Sequence, residues 1–335
     1  MKKILLIISL GVFLLANLAA QTVALHSNGN TQIFKGINAF KEANNAAANG
    51  DTLYLSGGNF TMPPSFNKIL KIYGVGHAEQ ATTATGSTYI NADINLKEGA
   101  DDFHIEGVNF NSLSIERDKS IKNLVVKRCN IRASISITGN TNPSEDLLVT
   151  GSIIHNTINV QNAVRVLLSN NIINSTINNT HNNIIKNNIF VYKSTTSGYS
   201  IGGSNNHLSN NIFIRQDSYY RNNICSGDGN QFYNNAFVYG PPNFGTNPVT
   251  VDNWFPIDLD VFFIDYAGGD YHLTEPANYI GEDGTQIGVF GGMYPYKVDG
   301  VPVIPYIESA TIPHKVDESG KLPVNIKVKA QKEQD

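Results

Sequence analysis

A two-residue signature recurs through the middle of the chain, a polar residue followed by an apolar one. It stands at Asn109-Phe110, Asn130-Ile131, Ser152-Ile153, Asn171-Ile172, Asn188-Ile189, Asn211-Ile212 and Asn235-Ala236. Successive copies lie 21, 22, 19, 17, 23 and 24 residues apart. A second apolar position precedes each, four residues earlier at Ile105, Val126, Leu148, Leu167 and Ile184, and three earlier at Leu208 and Phe232. Each unit reads as a short strand, a polar corner and another short strand. A unit of about 20 residues cannot bury an apolar face alone, whereas stacked copies bury it against their neighbours. A corner asparagine tolerates the left-handed backbone region, and its amide both donates to one neighbouring coil and accepts from the other. Leucine-rich repeats share the period but need a leucine consensus and a helical segment per turn, which are absent here. The pattern predicts an all-β fold, a right-handed single-stranded parallel β-helix, with Asn109, Asn130, Ser152, Asn171, Asn188, Asn211 and Asn235 as its structural ladder.

The flanks fit a solenoid. Between residues 36 and 49, Ile37, Phe40, Ala43 and Ala47 recur at near-helical spacing before Gly50-Asp51 stops the run, which predicts an N-terminal capping helix over an otherwise open end. Ile37 and Phe40 are expected to plug the core there. Thr52-Leu53-Tyr54-Leu55 then reads as a strand closed by Gly57-Gly58-Asn59. At the other end prolines and aromatics replace the ladder after Asn235, and Pro302, Pro305 and Pro313 mark an extended connector. Leu322, Val324, Ile326 and Val328 alternate with polar or proline positions, the period of one half-buried strand packed on the solenoid or a partner. The expected organisation is a signal peptide at 1–20, a β-helix at 21–295 and an extended tail at 296–335, with 331–335 frayed.

Met1-Lys2-Lys3, the apolar run Ile4 to Ala16 and the small-residue exit Leu18-Ala19-Ala20 have the form of a secretory signal. The run covers 13 residues, short of the roughly 20 needed to span a bilayer. The expectation is an exported mature chain in the periplasm, secreted or at the cell surface, without a transmembrane segment. Loss of two lysines leaves 22 basic against 28 acidic residues, a formal charge of -6. That balance does not suit a nucleic-acid backbone. Cys129 and Cys225 fall in repeats several coils apart and read as separate buried thiols rather than a disulfide.

The cap helix, the run Gly50-Asp51-Thr52-Leu53-Tyr54-Leu55-Ser56-Gly57-Gly58-Asn59-Phe60, Leu70-Lys71-Ile72-Tyr73-Gly74-Val75-Gly76 and the Asn-apolar corners together resemble the pectin-lyase-like superfamily of right-handed β-helices. The likeness is strongest to exported β-helix proteins of Bacteroidetes-type bacteria and extends over residues 22 to 295. It implies a fold rather than an activity, because lyases, hydrolases, esterases, epimerases and non-enzymes share that scaffold. A calcium-dependent lyase would need convergent carboxylates, yet residues 120 to 235 hold 25 asparagines and four acids, Glu145, Asp146, Asp217 and Asp228. Calcium is not supported by that count, and no cofactor is expected. A polygalacturonase-type hydrolase would show a Gly-His-Gly, which is missing. Arg117-Asp118-Lys119 and Asp101-Asp102 read as solvated turns.

One cluster breaks the corner spacing: Arg215, Asp217, Tyr219, Tyr220 and Arg221, followed by Asp228. Planar cations beside aromatic rings suit a sugar chain bearing acidic groups, so these six are the candidate substrate-binding residues; a solvated loop is the plainer alternative. His155, His181 and His207 read as turn residues, since no metal-ligand spacing accompanies them. Three roles remain open: a non-catalytic protein that binds or organises envelope polysaccharide, a metal-free polysaccharide lyase or glycoside hydrolase, and a surface adhesin.

Overall fold

In the computed structural model, residues 21–78, 82, 84–138, 142–192, 198–215, 219–313 and 315–330 are described. The signal-like segment 1–20, Asp217 and the tail 331–335 lie outside them. The chain winds into a parallel β-solenoid of about nine turns with little helix. Three sheets of twelve, nine and six strands run along it, and each coil visits them in a fixed order. The coil at residues 163–181, for example, lays Ala163–Ser169 in the first sheet, Ile172–Ile173 in the second and Ile177–His181 in the third. Stacking is in register, so Ile131, Ile154, Ile173, Phe190, Phe213 and Phe237 form one inward column. Phe213 stacks on Phe190 and Phe237 at centroid distances of 4.6 and 5.0 Å.

Two adjacent residues share the work that the sequence reading assigned to one corner asparagine. The left-handed turn is made by Asn170, Asn187, Asn210 and Asn234, with φ of 56°, 55°, 60° and 52°. The residue after each makes the ladder. Asn171, Asn188, Asn211 and Asn235 are fully buried, and each backbone N–H donates to the next side-chain oxygen: Asn171 to Asn188 (3.0 Å), Asn188 to Asn211 (3.0 Å) and Asn211 to Asn235 (2.9 Å). Ser152 joins through its N–H to Asn171 (3.0 Å), and Asn253, one coil beyond the expected end, accepts from Asn235 (2.9 Å). At this corner the left-handed asparagine turns its side chain away from the ladder, as Asn170 does in donating to the Val289 and Gly291 carbonyls, and the residue after it aims its amide along the stack.

Asn109 and Asn130 do not belong to the ladder. They pair with Ile153 and the residues above it, one position downstream, while the ladder column passes through Cys129, whose N–H donates to Ser152 Oγ (3.0 Å). The same slip affects the upstream apolar positions. The inward residues are Val149, Leu168 and Ile185, not Leu148, Leu167 and Ile184, and Ile184 is 47 % exposed. A second ladder, not anticipated, lines the corner between the third and first sheets, where Val166, Asn183 and Asn206 N–H groups donate to Asn183, Asn206 and Asn230 side chains at 2.9, 3.1 and 3.0 Å.

The N-terminal end is closed by the hairpin Thr22–Ser27 and Asn30–Lys35 and the helix Ala39–Ala46, shorter than the 36–49 expected. Phe40 is fully buried 5.8 Å from Phe66. Ile37 is 58 % exposed because it precedes the helix, outside its buried stripe; it is not a plug. Lys68 Nζ donates to the carbonyls of Asn44 and Ala47 (2.9 and 2.6 Å), neutralising the negative helix end.

After the last coil strand, Val249–Val251, the chain turns back. Residues 257–296 pack a second apolar core onto the outside of the second sheet. The following stretch runs along the column of left-handed corners towards the N-terminal coils. Asn170 Nδ2 donates to the carbonyls of Val289 and Gly291 (3.0 and 2.7 Å), Arg128 reaches the Val301 carbonyl (3.4 Å), and Thr82 Oγ1 donates to the Ile307 carbonyl (2.5 Å). Gly291 is needed there, because a Cβ would sit 1.7 Å from the Gln286 carbonyl oxygen. The expected lone C-terminal strand is half of a hairpin, Tyr306–Thr311 with Asn325–Lys329. Its strand Asn325–Lys329 is exposed throughout rather than half-buried, since its hydrogen bonds go to the tail itself and not to the solenoid. Among the described residues no helix is long and apolar enough to cross a membrane.

Candidate ligand-binding groove

Outward positions of the second sheet form two columns, and both change character midway. One reads Asn59, Tyr89, Asn109, Asn130, then Ile153, Ile172, Ile189, Ile212 and Ala236. Two residues further along each strand stand Asn91, Asn111, Arg132, His155 and Asn174, then Val191, Ile214 and Val238. The apolar half is the surface on which residues 257–296 sit, and Ile189, Ile212 and Ile214 are at most 1 % exposed beneath them. Covering such side chains stabilises by roughly 1.5–3 kcal/mol each. The polar half stays open. The sequence therefore builds a face whose first coils are uncovered and whose last coils carry a wall.

The open half is ordered by cross-coil contacts. Arg132 lies over the Tyr89 ring at 4.3 Å and donates to Asn109 Oδ1 (2.7 Å), the Ile90 carbonyl (3.1 Å) and Asn91 Oδ1 (3.2 Å). All three acceptors are neutral, so the guanidinium is oriented without its charge being cancelled. One coil on, His155 Nε2 donates to Asn130 Oδ1 (2.9 Å) while Asn174 Nδ2 donates to His155 Nδ1 (3.3 Å). That pair of partners suits the neutral tautomer with the proton on Nε2. Partial burial, and then the charge of Arg132, hold the His155 pKa below its ordinary value.

Where the wall meets the open half, a cleft of about 610 Å³ opens between His155 and Asn174 on the coils and Asp270, Tyr271, His272, Phe290 and Tyr296 on the wall. Asp270 Oδ1 is 2.5 Å from His272 Nδ1 and also accepts the His272 backbone N–H (3.0 Å). These bonds, the backbone one first, keep the Asp270 carboxyl below the usual range. His272 stacks on Phe290 at 3.7 Å, which fixes the ring and leaves Nε2 as its free nitrogen. Burial raises the Tyr271 and Tyr296 phenols, so both remain protonated donors. The cleft thus combines aromatic rings with hydroxyl, amide and carboxylate groups, a set able to stack on a sugar ring and hydrogen-bond its hydroxyls.

Of the cluster singled out in the sequence, Arg215 lies in the core, Tyr219 to Arg221 stand together on the enlarged turn and Asp228 sits at another corner. Arg215 is 1 % exposed, over Tyr192 at 4.4 Å and donating to the Asn223 carbonyl (2.9 Å); it ties the enlarged turn to the core. Tyr219 is 89 % exposed with Tyr220 at 6.2 Å. Arg221 lies over Tyr239 at 4.6 Å. Asp228 is on the corner between the third and first sheets, accepting from Asn247 Nδ2 (2.9 Å), and Asp217 is outside the described residues. The register explains the burial of Arg215, which pairs with the inward-lying Tyr192, so its strand position faces into the structure. Of the histidines, His155 borders the cleft, His181 Nδ1 accepts the Ser204 N–H (3.3 Å), and His207 meets Glu282 at 3.0 Å. Glu145 and Asp146 are both bound by Arg165 at 2.7 Å.

Sequence reasoning missed Tyr89, Arg132, Asn174 and the Asp270-Tyr271-His272 group. The first three carried a signal in the parity of each strand after the corner. The last did not, because nothing periodic tells which coil the wall will reach. Among the described residues, no cluster of three or more His, Cys, Asp or Glu is placed to hold a metal ion. Cys129 and Cys225 are separate buried thiols, and burial pushes the Cys129 thiol up to about 12. Compared with family models, curated proteins and solved structures, the chain matches none of them.

Proposed function

We propose that this chain is an exported, non-catalytic glycan-binding β-helix of the pectin-lyase-like type, holding a polysaccharide lengthwise in the groove from Tyr89 to Tyr271. One observation carries the reading: both outward columns of the second sheet stay polar for the first coils and stop at an aromatic cleft. Four coil steps separate Tyr89 from Ile172, about 19 Å at about 4.8 Å per step. A linear oligosaccharide several residues long fits that span, and compact ligands do not need it. Arg132 is suited to an acidic substituent, His155 and the asparagines to hydroxyls, and Tyr271 to a ring face. Export rests on the segment from Met1 to Ala20.

Affinity electrophoresis through gels containing polygalacturonate, alginate, xylan or glucomannan tests this directly. Retention on at least one gel, weakened by Arg132→Ala and by Tyr271→Ala with an unchanged melting temperature, is the expected result. Equal retention of both variants and the parent chain would remove the groove. A second reading, metal-free cleavage, is favoured by the Asp270–His272 pair, since a carboxylate on Nδ1 orients Nε2 as a proton acceptor. Unsaturated or reducing products that vanish in His272→Ala would establish that reading instead.

A further inference from the structure

We infer that a second, separate sugar-binding pocket lies on the outer face of the first sheet and takes a neutral pyranose ring. The pocket, about 270 Å³, is bounded by Tyr54, Ser56, Tyr73 and Thr85 on the first coils and by Pro305 and Tyr306 of the returning C-terminal segment. Tyr54 and Tyr73 occupy one column of the sheet, with rings 5.7 Å apart and 16° from parallel. Tyr73 continues to His104 at 5.2 Å, so the floor is an aromatic stack rather than an aliphatic patch. Tyr54 is 39 % exposed although it stands mid-strand.

Two features choose the ligand. Among the described residues, the phenols of Tyr54, Tyr73 and Tyr306 make no hydrogen bond, so three rigid amphipathic side chains border one pocket with their polar ends unused. Tyrosine arranged this way offers large contact area and a hydroxyl at low conformational cost, which suits a ring carrying hydroxyls on an apolar body. Among the described residues, none that lines the pocket is charged. Glu106, beside Tyr73 on the neighbouring strand, is paired with Arg128 at 3.1 Å, and Lys329, opposite Tyr306, is paired with Glu308, which also holds Lys327. Among the described residues the charges around the pocket are matched to one another, so a neutral sugar is favoured. Burial, then the Glu106 charge, raises the Tyr73 phenol, keeping it a donor. The pocket is on a different sheet from the groove, so a branched or long glycan could engage both and gain through effective concentration.

The test is titration calorimetry of the chain beginning at Gln21 with cellohexaose, xylohexaose and mannohexaose. At least one should bind. Tyr54→Ala and Tyr73→Ala should each weaken it about tenfold, as loss of an aromatic contact does, and Tyr73→Phe, which keeps the stack and the fold, should weaken it by a smaller factor. Arg132→Ala and Tyr271→Ala should leave this affinity unchanged. Failure of all three sugars to bind overturns the pocket. So does binding that is lost in Arg132→Ala or Tyr271→Ala but kept in the tyrosine variants, a result that would assign neutral sugar to the groove and leave the groove standing.

Discussion

Neighbouring asparagines should respond in opposite ways to substitution, and Asn187 and Asn188 make the sharpest pair. Asn188 is fully buried. Its Oδ1 accepts from the Asn171 N–H and Nδ2 (3.0 Å each), and its Nδ2 donates to the Leu168 and Lys186 carbonyls (2.9 Å each) and to Asn211 Oδ1 (3.0 Å). Asn188→Ala strands the Asn171 N–H, a loss of roughly 1–3 kcal/mol, and removes the bonds that two amide hydrogens share among three acceptors, worth about 1 kcal/mol per hydrogen. The expected cost is about 3 to 5 kcal/mol. Asn187 has φ 55°, and both its side-chain polar atoms are buried without a partner. Asn187→Gly relieves the left-handed strain and both orphans while loosening the unfolded chain, so its net effect stays within about 1 kcal/mol. Urea unfolding gives the global change, and hydrogen exchange of the peptide spanning Ala163 to Asn174 reports the ladder locally. Faster exchange at Asn171 should appear in Asn188→Ala alone. Equal costs, or exchange that accelerates in Asn187→Gly instead, would refute the division of labour between turn and ladder.

Two further outcomes follow from the same packing. Phe40→Ala should cost about 3 to 5 kcal/mol, because Phe40 is fully buried against Phe66, whereas Ile37→Ala should stay within about 0.5 kcal/mol, as exposed positions do; both are read by reversible denaturation. His77, 5 % exposed beside Gly300 of the returning segment, has its pKa lowered by burial from 6.5 to about 4. The unfolded chain therefore binds a proton at a pH where the folded one does not, so stability present above pH 6.5 falls by about 3 kcal/mol as pH drops to about 4. His77→Gln should flatten that part of the stability–pH curve, and an unchanged slope would exclude His77 as its cause.

The solenoid was legible because stacking forces like residues onto like positions, and a period of about 20 survives variation in the loops. The phase was harder. Asn109-Phe110 and Asn171-Ile172 look alike in sequence, yet the first asparagine is a strand residue facing out and the second a corner residue facing in. The paired asparagines at 170–171, 187–188, 210–211 and 234–235 would have fixed the phase, since a left-handed residue must precede the ladder residue. At the other corner Asn182-Asn183 and Asn205-Asn206 show the same mark, and Gly229 takes the left-handed place before Asn230. Within the cluster that it opens, Arg215 alone was misread, because unusual chemistry was taken as exposure although strand parity turns the arginine inward. The wall from 257 to 296 was illegible for a different reason: its apolar residues have no period, and their destination is set by the aliphatic columns at Ile189 and Val191, which sequence alone could equally place in the main core.

Hydroxyl-radical footprinting of the chain bound to whichever polysaccharide retains it tests the groove most directly. Protection should concentrate at Tyr89, Arg132, His155, Tyr271 and His272, side chains brought together only by the second sheet and its wall. Protection confined to Tyr219, Tyr220 and Arg221, or to residues of the third sheet such as Asn95, Ser114 and Ser136, would contradict it.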